Sequence, residues 1–187
     1  MTTAGGNETS GAGQAAGPLA GPANWQLDPS SSTVTFSHKS IWGLVTVRGE
    51  FSDLSGSAEI LPDGSARGRL EIAAGSLDTK HAKRDKHLRS ADFFDADKHP
   101  QIIVDITTAT RRDGENVAAS GTLTVAGQTK PLALTAAITE ATDQSVTLTA
   151  DTQIDRADFG MSWNQLGMVK GLAQVNVVAR FVKPAAA

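Results

Sequence analysis

Histidines that could take part in catalysis or metal binding are concentrated between His81 and Pro100. Three of the four histidines lie in this stretch, His81, His87 and His99, among alternating basic and acidic residues. His81 and His87 are six positions apart, so a helix would point them in different directions, which is poor spacing for ligands of one metal ion. The chain has no cysteine, which excludes thiolate nucleophiles and cysteine zinc sites. We therefore predict no metal site.

Evidence for catalysis is weak elsewhere in the sequence. Ser37 precedes His38, but neighbouring residues of a strand point to opposite faces and cannot form a dyad. No nucleophile elbow, phosphate-binding loop or dinucleotide fingerprint is present. The acid–base alternative that stays open is His87 with Asp85. We predict a protein without catalytic residues and without a cofactor.

Two arginines beside apolar segments point to ligand binding. Arg84 lies in the charged stretch, and Arg156 precedes residues 157–171, an apolar segment. The apolar side chains of that segment and of residues 40–44 include Trp42, Phe159, Met161, Trp163 and Met168. An apolar pocket with a guanidinium at its rim would suit an amphiphile with an anionic head. Ordinary packing of these segments over the end of the fold is the alternative.

Short β-strands must position these residues. Apolar and polar residues alternate in eight or nine runs, separated by turn signals such as Pro62-Asp63-Gly64 at about ten-residue spacing. Small residues recur on the apolar faces, which favours a barrel with internal space over a filled sandwich. The alternation stops near Lys80, where charge concentrates. The sequence therefore predicts an all-β barrel with a short helical segment near residues 80–95, anchored by Phe93 or Phe94.

Length and composition limit the remaining possibilities. The 187 residues suit one domain, which we place at residues 24–183, followed by a short tail at 184–187. The net charge of −3 does not suit a nucleic-acid partner, and no long apolar run predicts stable membrane insertion. Residues 1–23 are rich in Gly, Ala, Ser and Thr, which predicts a disordered tail. That tail does not resemble a signal peptide, so we predict a cytoplasmic protein.

Several motifs together resemble the YceI-like family of polyisoprenoid-binding and lipid-binding proteins. They are WQLDPSSSTVTFSHKS, VRGEFSDLSG, RDKHLRSADFFDADKHPQI, SGTLTVAGQTKPLAL and IDRADFGMSW, and they span about Trp25 to Val182. The resemblance implies an antiparallel, lipocalin-like barrel of about eight strands. It also implies an elongated apolar pore for an isoprenoid or another amphiphilic lipid. Because relatives with exposed barrel edges can pair, a homodimer is a further expectation.

The residues predicted to bind the ligand come from apolar strand faces, the apolar segments and the basic residues beside them. They are Phe36, Trp42, Val45, Val47, Phe51, Leu123, Leu134, Phe159, Met161, Trp163, Met168, Arg84, His87 and Arg156. Three functions stay open on sequence grounds. The favoured one is a carrier or sequestering protein for the lipid. The others are a ligand-free interaction barrel and an enzyme acting on such a lipid.

Overall fold

The computed structural model describes residues 19, 21–40, 44–161 and 172–184 of the 187-residue chain. Most of this part of the chain is β-strand, and it contains one α-helix of seven residues. The strands follow from the alternating sequence pattern, because successive side chains of a strand point to opposite faces. No helix in the described ranges is long and apolar enough to cross a membrane.

The described residues form eleven strands, each antiparallel to its hydrogen-bonded neighbours. In chain order they are β1 (Ala23–Leu27), β2 (Thr33–Ser40), β3 (Val45–Phe51), β4 (Leu54–Ile60), β5 (Ala66–Ala73), β6 (Leu77–Asp78), β7 (Gln101–Arg111), β8 (Asn116–Val125), β9 (Gln128–Ala141), β10 (Ser145–Ile154) and β11 (Ala173–Val182). The predicted strands are therefore present, and β1 and β6 are additional ones.

Eight of these strands close into a barrel. Their order is β1-β4-β5-β7-β8-β9-β10-β11, and β11 pairs with β1 to complete the ring. That seam is short, since only the pairs Gln26–Val182 and Leu27–Phe181 form it. Where β1 and β11 pair, the ring has no open edge. The predicted antiparallel barrel of about eight strands is confirmed.

The remaining strands extend the wall at one end of the barrel. β2 pairs with the first half of β11, β3 pairs with β2, and β6 pairs with the end of β3. The helix α1 (Ala82–Leu88) follows β6 and packs against it. We call this the helix end of the barrel; α1, the Ser40–Val45 strand pair and the start of β11 all lie there. The opposite end carries the tight turns near residues 61–65, 112–116 and 142–145.

The observed helix is shorter than the helical segment predicted near residues 80–95. Only Ala82–Leu88 is helical, and residues 89–99 form hydrogen-bonded turns. His81 caps the helix, because its Nδ1 accepts a hydrogen bond from the backbone N–H of Arg84. The helix ends near Ser90, whose hydroxyl donates to the carbonyl oxygen of His87.

The domain limits predicted from the sequence remain predictions. Residues 1–18 and 20, in the predicted N-terminal tail, and residues 185–187 lie outside the described part of the chain. Ala23, the last residue of that tail, is the first residue of β1. Trp25, two positions further, is only 2% exposed, so the packed core begins at the start of the predicted domain.

Candidate ligand-binding cavity

The barrel encloses a cavity of about 770 Å³. Side chains from β2, β3, β4, β5, β7, β8, β9, β10 and β11 line it, together with α1 and the turns that follow α1. Most of these side chains are aliphatic or aromatic. Sites for small ligands typically measure about 300–1,000 Å³, so this cavity can hold a sizeable apolar molecule.

Small side chains keep the interior open. Alanines of the lining face one another across neighbouring strands: Ala109 pairs with Ala119, and Ala136 pairs with Ala150. A barrel of eight strands is otherwise just wide enough for larger side chains to fill it. The space therefore follows from residue size at inward positions. The inward faces are the apolar ones, and charged pairs such as Arg69–Asp105 lie exposed on the outside.

Three phenylalanines form a continuous wall beside α1. The ring centroids of Phe36 and Phe51 are 5.8 Å apart, and those of Phe51 and Phe94 are 5.7 Å apart in an edge-to-face arrangement. Phe36 lies over its cross-strand partner Gly49, where an added Cβ would come within 2.6 Å of the ring. Because Gly49 has no side chain, the Phe36 ring can pack against it and form part of the cavity wall.

Basic side chains gather where the cavity meets the helix end. His38, His81, Lys83, Arg84, His87 and Arg156 all line it there. Arg67 and Arg69 also border the cavity, but their guanidinium groups pair with Glu59, Glu71 and Asp105 on the outer surface. Among the described residues, no aspartate or glutamate lines the cavity. The lining thus combines an apolar body with a cationic end.

A hydrogen-bond network around Thr79 holds α1 against the barrel. The buried carboxylate of Asp85 accepts from the backbone N–H of Thr79 at 2.9 Å and from its hydroxyl. Arg84 donates to the hydroxyl and the carbonyl oxygen of Thr79, each at 2.7 Å. Arg89 donates to the carbonyl oxygen of Leu77. Arg84 and Asp85 are therefore both bound to Thr79, which positions Arg84 at the cavity.

His87 is paired with a different carboxylate from the one that the sequence suggested. Its Nε2 lies 2.8 Å from Oδ2 of Asp92, and its ring meets Phe93 edge-to-face at 5.2 Å between centroids. Asp85, the partner considered from the sequence, is occupied by Thr79. The His87–Asp92 pair could exchange a proton, but Asp92 does not line the cavity.

Arg156 lies where β10 ends and a short 3-10 turn, Arg156–Phe159, begins. Its guanidinium donates to the carbonyl oxygen of Met161 at 3.0 Å. Partial burial lowers the pKa of Arg156, and the neighbouring Asp155 opposes that effect. A guanidinium stays cationic at neutral pH, so Arg156 supplies a partly desolvated positive charge to the cavity.

The structure places ten of the fourteen predicted ligand-binding residues around this cavity. They are Phe36, Val47, Phe51, Arg84, His87, Leu123, Leu134, Phe159, Met161 and Arg156. Val45 does not line the cavity and is 42% exposed, because β3 runs past the barrel rim at that point. Trp42, Trp163 and Met168 lie outside the described residues.

Sequence reasoning missed other residues of the lining. His38, Lys83 and Phe94 all contribute to it. His38 could have been found, because it shares a strand face with Val34 and Phe36. Lys83 could not have been found, because the sequence does not show which way a single lysine of a charged helix points. In the described part of the chain, no three histidine, aspartate or glutamate side chains are grouped to hold a metal ion.

The fold and cavity define a closed antiparallel barrel with an internal apolar chamber. Residues 25–181 match the model of the YceI-like domain, and the chain belongs to this family. It is 31% identical to a UPF0312 protein of Shewanella baltica over 181 residues, which cover 92% of this chain and 94% of that protein. The family membership predicted from the sequence motifs is confirmed.

Solved structures share the fold. BcnA of Burkholderia cenocepacia superposes with a TM-score of 0.74 at 18% identity, covering 82% of this chain and 98% of that structure. A polyisoprenoid-binding domain from Saccharophagus degradans gives a TM-score of 0.70 at 19% identity, covering 86% and 98%. At these identities the similarity establishes the barrel architecture.

Proposed function

We propose that this protein binds a long-chain isoprenoid or a similar amphiphilic lipid in the barrel cavity and carries or sequesters it without changing it chemically. The observation that carries the proposal is the apolar cavity of about 770 Å³ with basic residues at one end. Membership of the YceI-like family and the shared fold of a polyisoprenoid-binding domain also support it.

The cavity fits an extended apolar chain for a simple energetic reason. Each methylene-sized group moved from water into an apolar environment contributes about 0.8 kcal/mol. A slim chamber therefore gains affinity with chain length until its depth is filled. The polar head would remain near Arg84 and Arg156, whose side chains hold fixed positions through Thr79 and Met161.

The composition of the lining supports binding without catalysis. Within the described residues, no serine, aspartate or glutamate lines the cavity, and its hydroxyl groups are those of Thr149 and Thr152. His87 is the strongest acid–base candidate, and its carboxylate partner Asp92 stands outside the lining. An enzyme that used His87 would lose turnover in a His87→Ala variant while still binding lipid. A carrier shows no turnover of its lipid in either the wild type or the variant.

The first experiment is organic extraction of the protein purified from its native host, followed by mass spectrometry. Native mass measurement of the intact protein runs beside it. A stoichiometric polyprenyl, quinone or fatty species is the expected result. A protein that is empty and also takes up neither polyprenyl phosphate nor quinone would contradict the proposal and favour a ligand-free interaction barrel.

The native mass also tests the predicted homodimer, and cell fractionation tests the predicted cytoplasmic location.

A matched pair of variants tests whether the cavity is the binding site. Val47 lines the cavity and Thr46 is exposed beside it on the same strand. Val47→Glu puts a carboxylate into the apolar chamber, so uptake of polyprenyl phosphate should fall by at least about tenfold. Thr46→Glu adds the same charge outside and should leave uptake unchanged. Equal uptake by both variants would place the ligand elsewhere.

A further inference from the structure

In the part of the chain that the structure describes, exposed large apolar side chains are concentrated at one place. Among the described residues they are Leu44, Val45 and Leu172, with 82%, 42% and 45% of their surface exposed. All three lie at the helix end of the barrel. Single exposed apolar residues need no explanation, but three at one rim do.

Strand pairing brings these residues to the same side of the barrel. Val45 pairs with Ser40, the last described pair between β2 and β3, and Leu44 directly precedes Val45. Leu172 directly precedes β11, whose Gln174 pairs with Ser37 of β2. Leu172 and Val45 therefore lie on opposite sides of β2. We call Leu44, Val45 and Leu172 the apolar rim, because they lie at the ends of β3 and β11 with only β2 between them.

The apolar rim adjoins the cavity. His38 and Val47 form a strand pair, and both line the cavity. This pair lies two residues along β2 and β3 from the Ser40–Val45 pair. Ala173, next to Leu172, lines the cavity as well. A long apolar ligand that enters or leaves at this end would pass beside the apolar rim.

The small size of the apolar rim favours a lipid surface over a protein partner. Stable protein interfaces bury about 1,200 Å² or more, which three side chains cannot supply. Shallow insertion into a bilayer needs only a few apolar side chains, and nearby cations strengthen it on anionic lipids. Exposed Lys39 and Lys83 lie at this end, with Asp155 and Asp158 as the opposing charges of the 3-10 turn.

We propose that the helix end docks on the surface of a lipid bilayer with Leu44, Val45 and Leu172 inserted among the lipids. The docked barrel places its cavity against the membrane, so that an amphiphile transfers between the bilayer and the cavity without crossing water. This inference rests on the proposed lipid-binding function, and it adds the partner surface from which the ligand is taken or to which it is delivered.

Vesicle flotation of the full-length protein tests this docking. The vesicles contain equal parts of phosphatidylcholine and phosphatidylglycerol. The wild-type protein should float with them, and the double variant Leu44→Gln, Leu172→Gln should bind at least about tenfold more weakly, because two apolar anchors are lost. Both residues are exposed, so the barrel should remain folded. The control is Thr110→Gln with Ser120→Gln, at exposed positions of β7 and β8 away from the apolar rim, which should bind like wild type.

Two results would overturn the docking proposal. One is a wild-type protein that does not float with vesicles; the other is a double variant that floats equally well. A dimer that dissociates in the double variant, without vesicle binding by the wild type, would identify the apolar rim as a contact between copies. Uptake of polyprenyl phosphate from detergent solution separates the two proposals. If the wild type floats but takes up no ligand, the cavity proposal fails and the docking surface stands.

Discussion

Individual residues around Thr79 determine how α1 meets the barrel. Asp85 is a buried carboxylate, 6% exposed, and its accepting contacts are with the backbone and hydroxyl of Thr79. A buried carboxylate is tolerated when such hydrogen bonds satisfy it. This residue therefore stabilises the helix end, whereas the sequence alone offered it as an acid–base candidate.

The Thr79–Asp85 contact leads to a stability prediction. Asp85→Ala removes the acceptor and leaves the buried N–H of Thr79 unpaired, so the free energy of unfolding should fall by about 1–3 kcal/mol. Urea unfolding measures it. The control Asp97→Ala removes an exposed carboxylate of the same segment and should change the value by less than about 0.5 kcal/mol. Equal values for the two variants would contradict the structural role of Asp85.

The contact between Phe36 and Gly49 leads to a second prediction at the residue scale. Gly49→Ala would place a Cβ within 2.6 Å of the Phe36 ring and 2.8 Å of the Thr79 methyl group. The ring must move into the cavity, and we expect a loss of about 1–3 kcal/mol in unfolding free energy. At Gly75 an added Cβ meets nothing within 4 Å, so Gly75→Ala should leave stability unchanged or slightly raised. A stable Gly49→Ala protein would show that the wall is not packed as described.

At the scale of elements, the corner between β6 and α1 depends on Lys80. The backbone of Lys80 has a φ of +61°, which is unfavourable for any residue other than glycine. Its ammonium binds Asp78 at 2.7 Å and Glu50 at 2.8 Å, and its backbone N–H donates to Asp78. These contacts join β3, β6 and the start of α1. They hold the chain in the turn that carries it into the helix.

This corner should make stability depend on pH in the acid range. Hydrogen bonds from the side chain and then the backbone of Lys80 lower the pKa of Asp78 below its ordinary 3.8. A lowered folded-state pKa means that the stabilisation is complete above the ordinary value and is lost as pH falls through the lowered one. Asp78→Asn should therefore unfold at lower urea than wild type at about pH 6, and the difference should shrink below about pH 4. A difference that is the same at both pH values would exclude this role for Asp78.

At the scale of the whole molecule, the barrel is a container because its closed wall surrounds small inward residues. Ala118 and Ala119 are neighbours on β8 and both border a groove on the outer surface, but only Ala119 also lines the cavity. A substitution at Ala119 therefore changes the volume of the cavity, and the same substitution at Ala118 is its control.

Filling the cavity should reduce ligand capacity. Ala119→Phe adds a ring to the chamber beside Ala109 and Leu134, so the longest accepted chain should shorten and the affinity for polyprenyl phosphate should fall by at least about tenfold. Ala118→Phe adds the same ring outside and should bind like wild type. Titrations with chains of increasing length measure both effects. Unchanged length selection in Ala119→Phe would mean that the ligand does not extend to β8.

Much of this molecule could be predicted from the amino-acid sequence. Alternation in runs such as Val117–Val125 predicted strands, and Gly and Ala on their apolar faces predicted a barrel with space inside. The motifs around Arg84, Phe94 and Arg156 predicted the family. These features are local, because strand periodicity and turn chemistry act over a few residues.

Tertiary structure decided which residues meet. The face that points inward is set by strand register across the barrel, and a shift of one residue would exchange every inward side chain for an outward one. Tertiary structure also decided that His87 pairs with Asp92 and that Asp85 binds Thr79. It placed Val45 at the exposed rim and outside the cavity lining. These contacts join segments that pack only when the barrel closes, so a pattern within one segment could not show them.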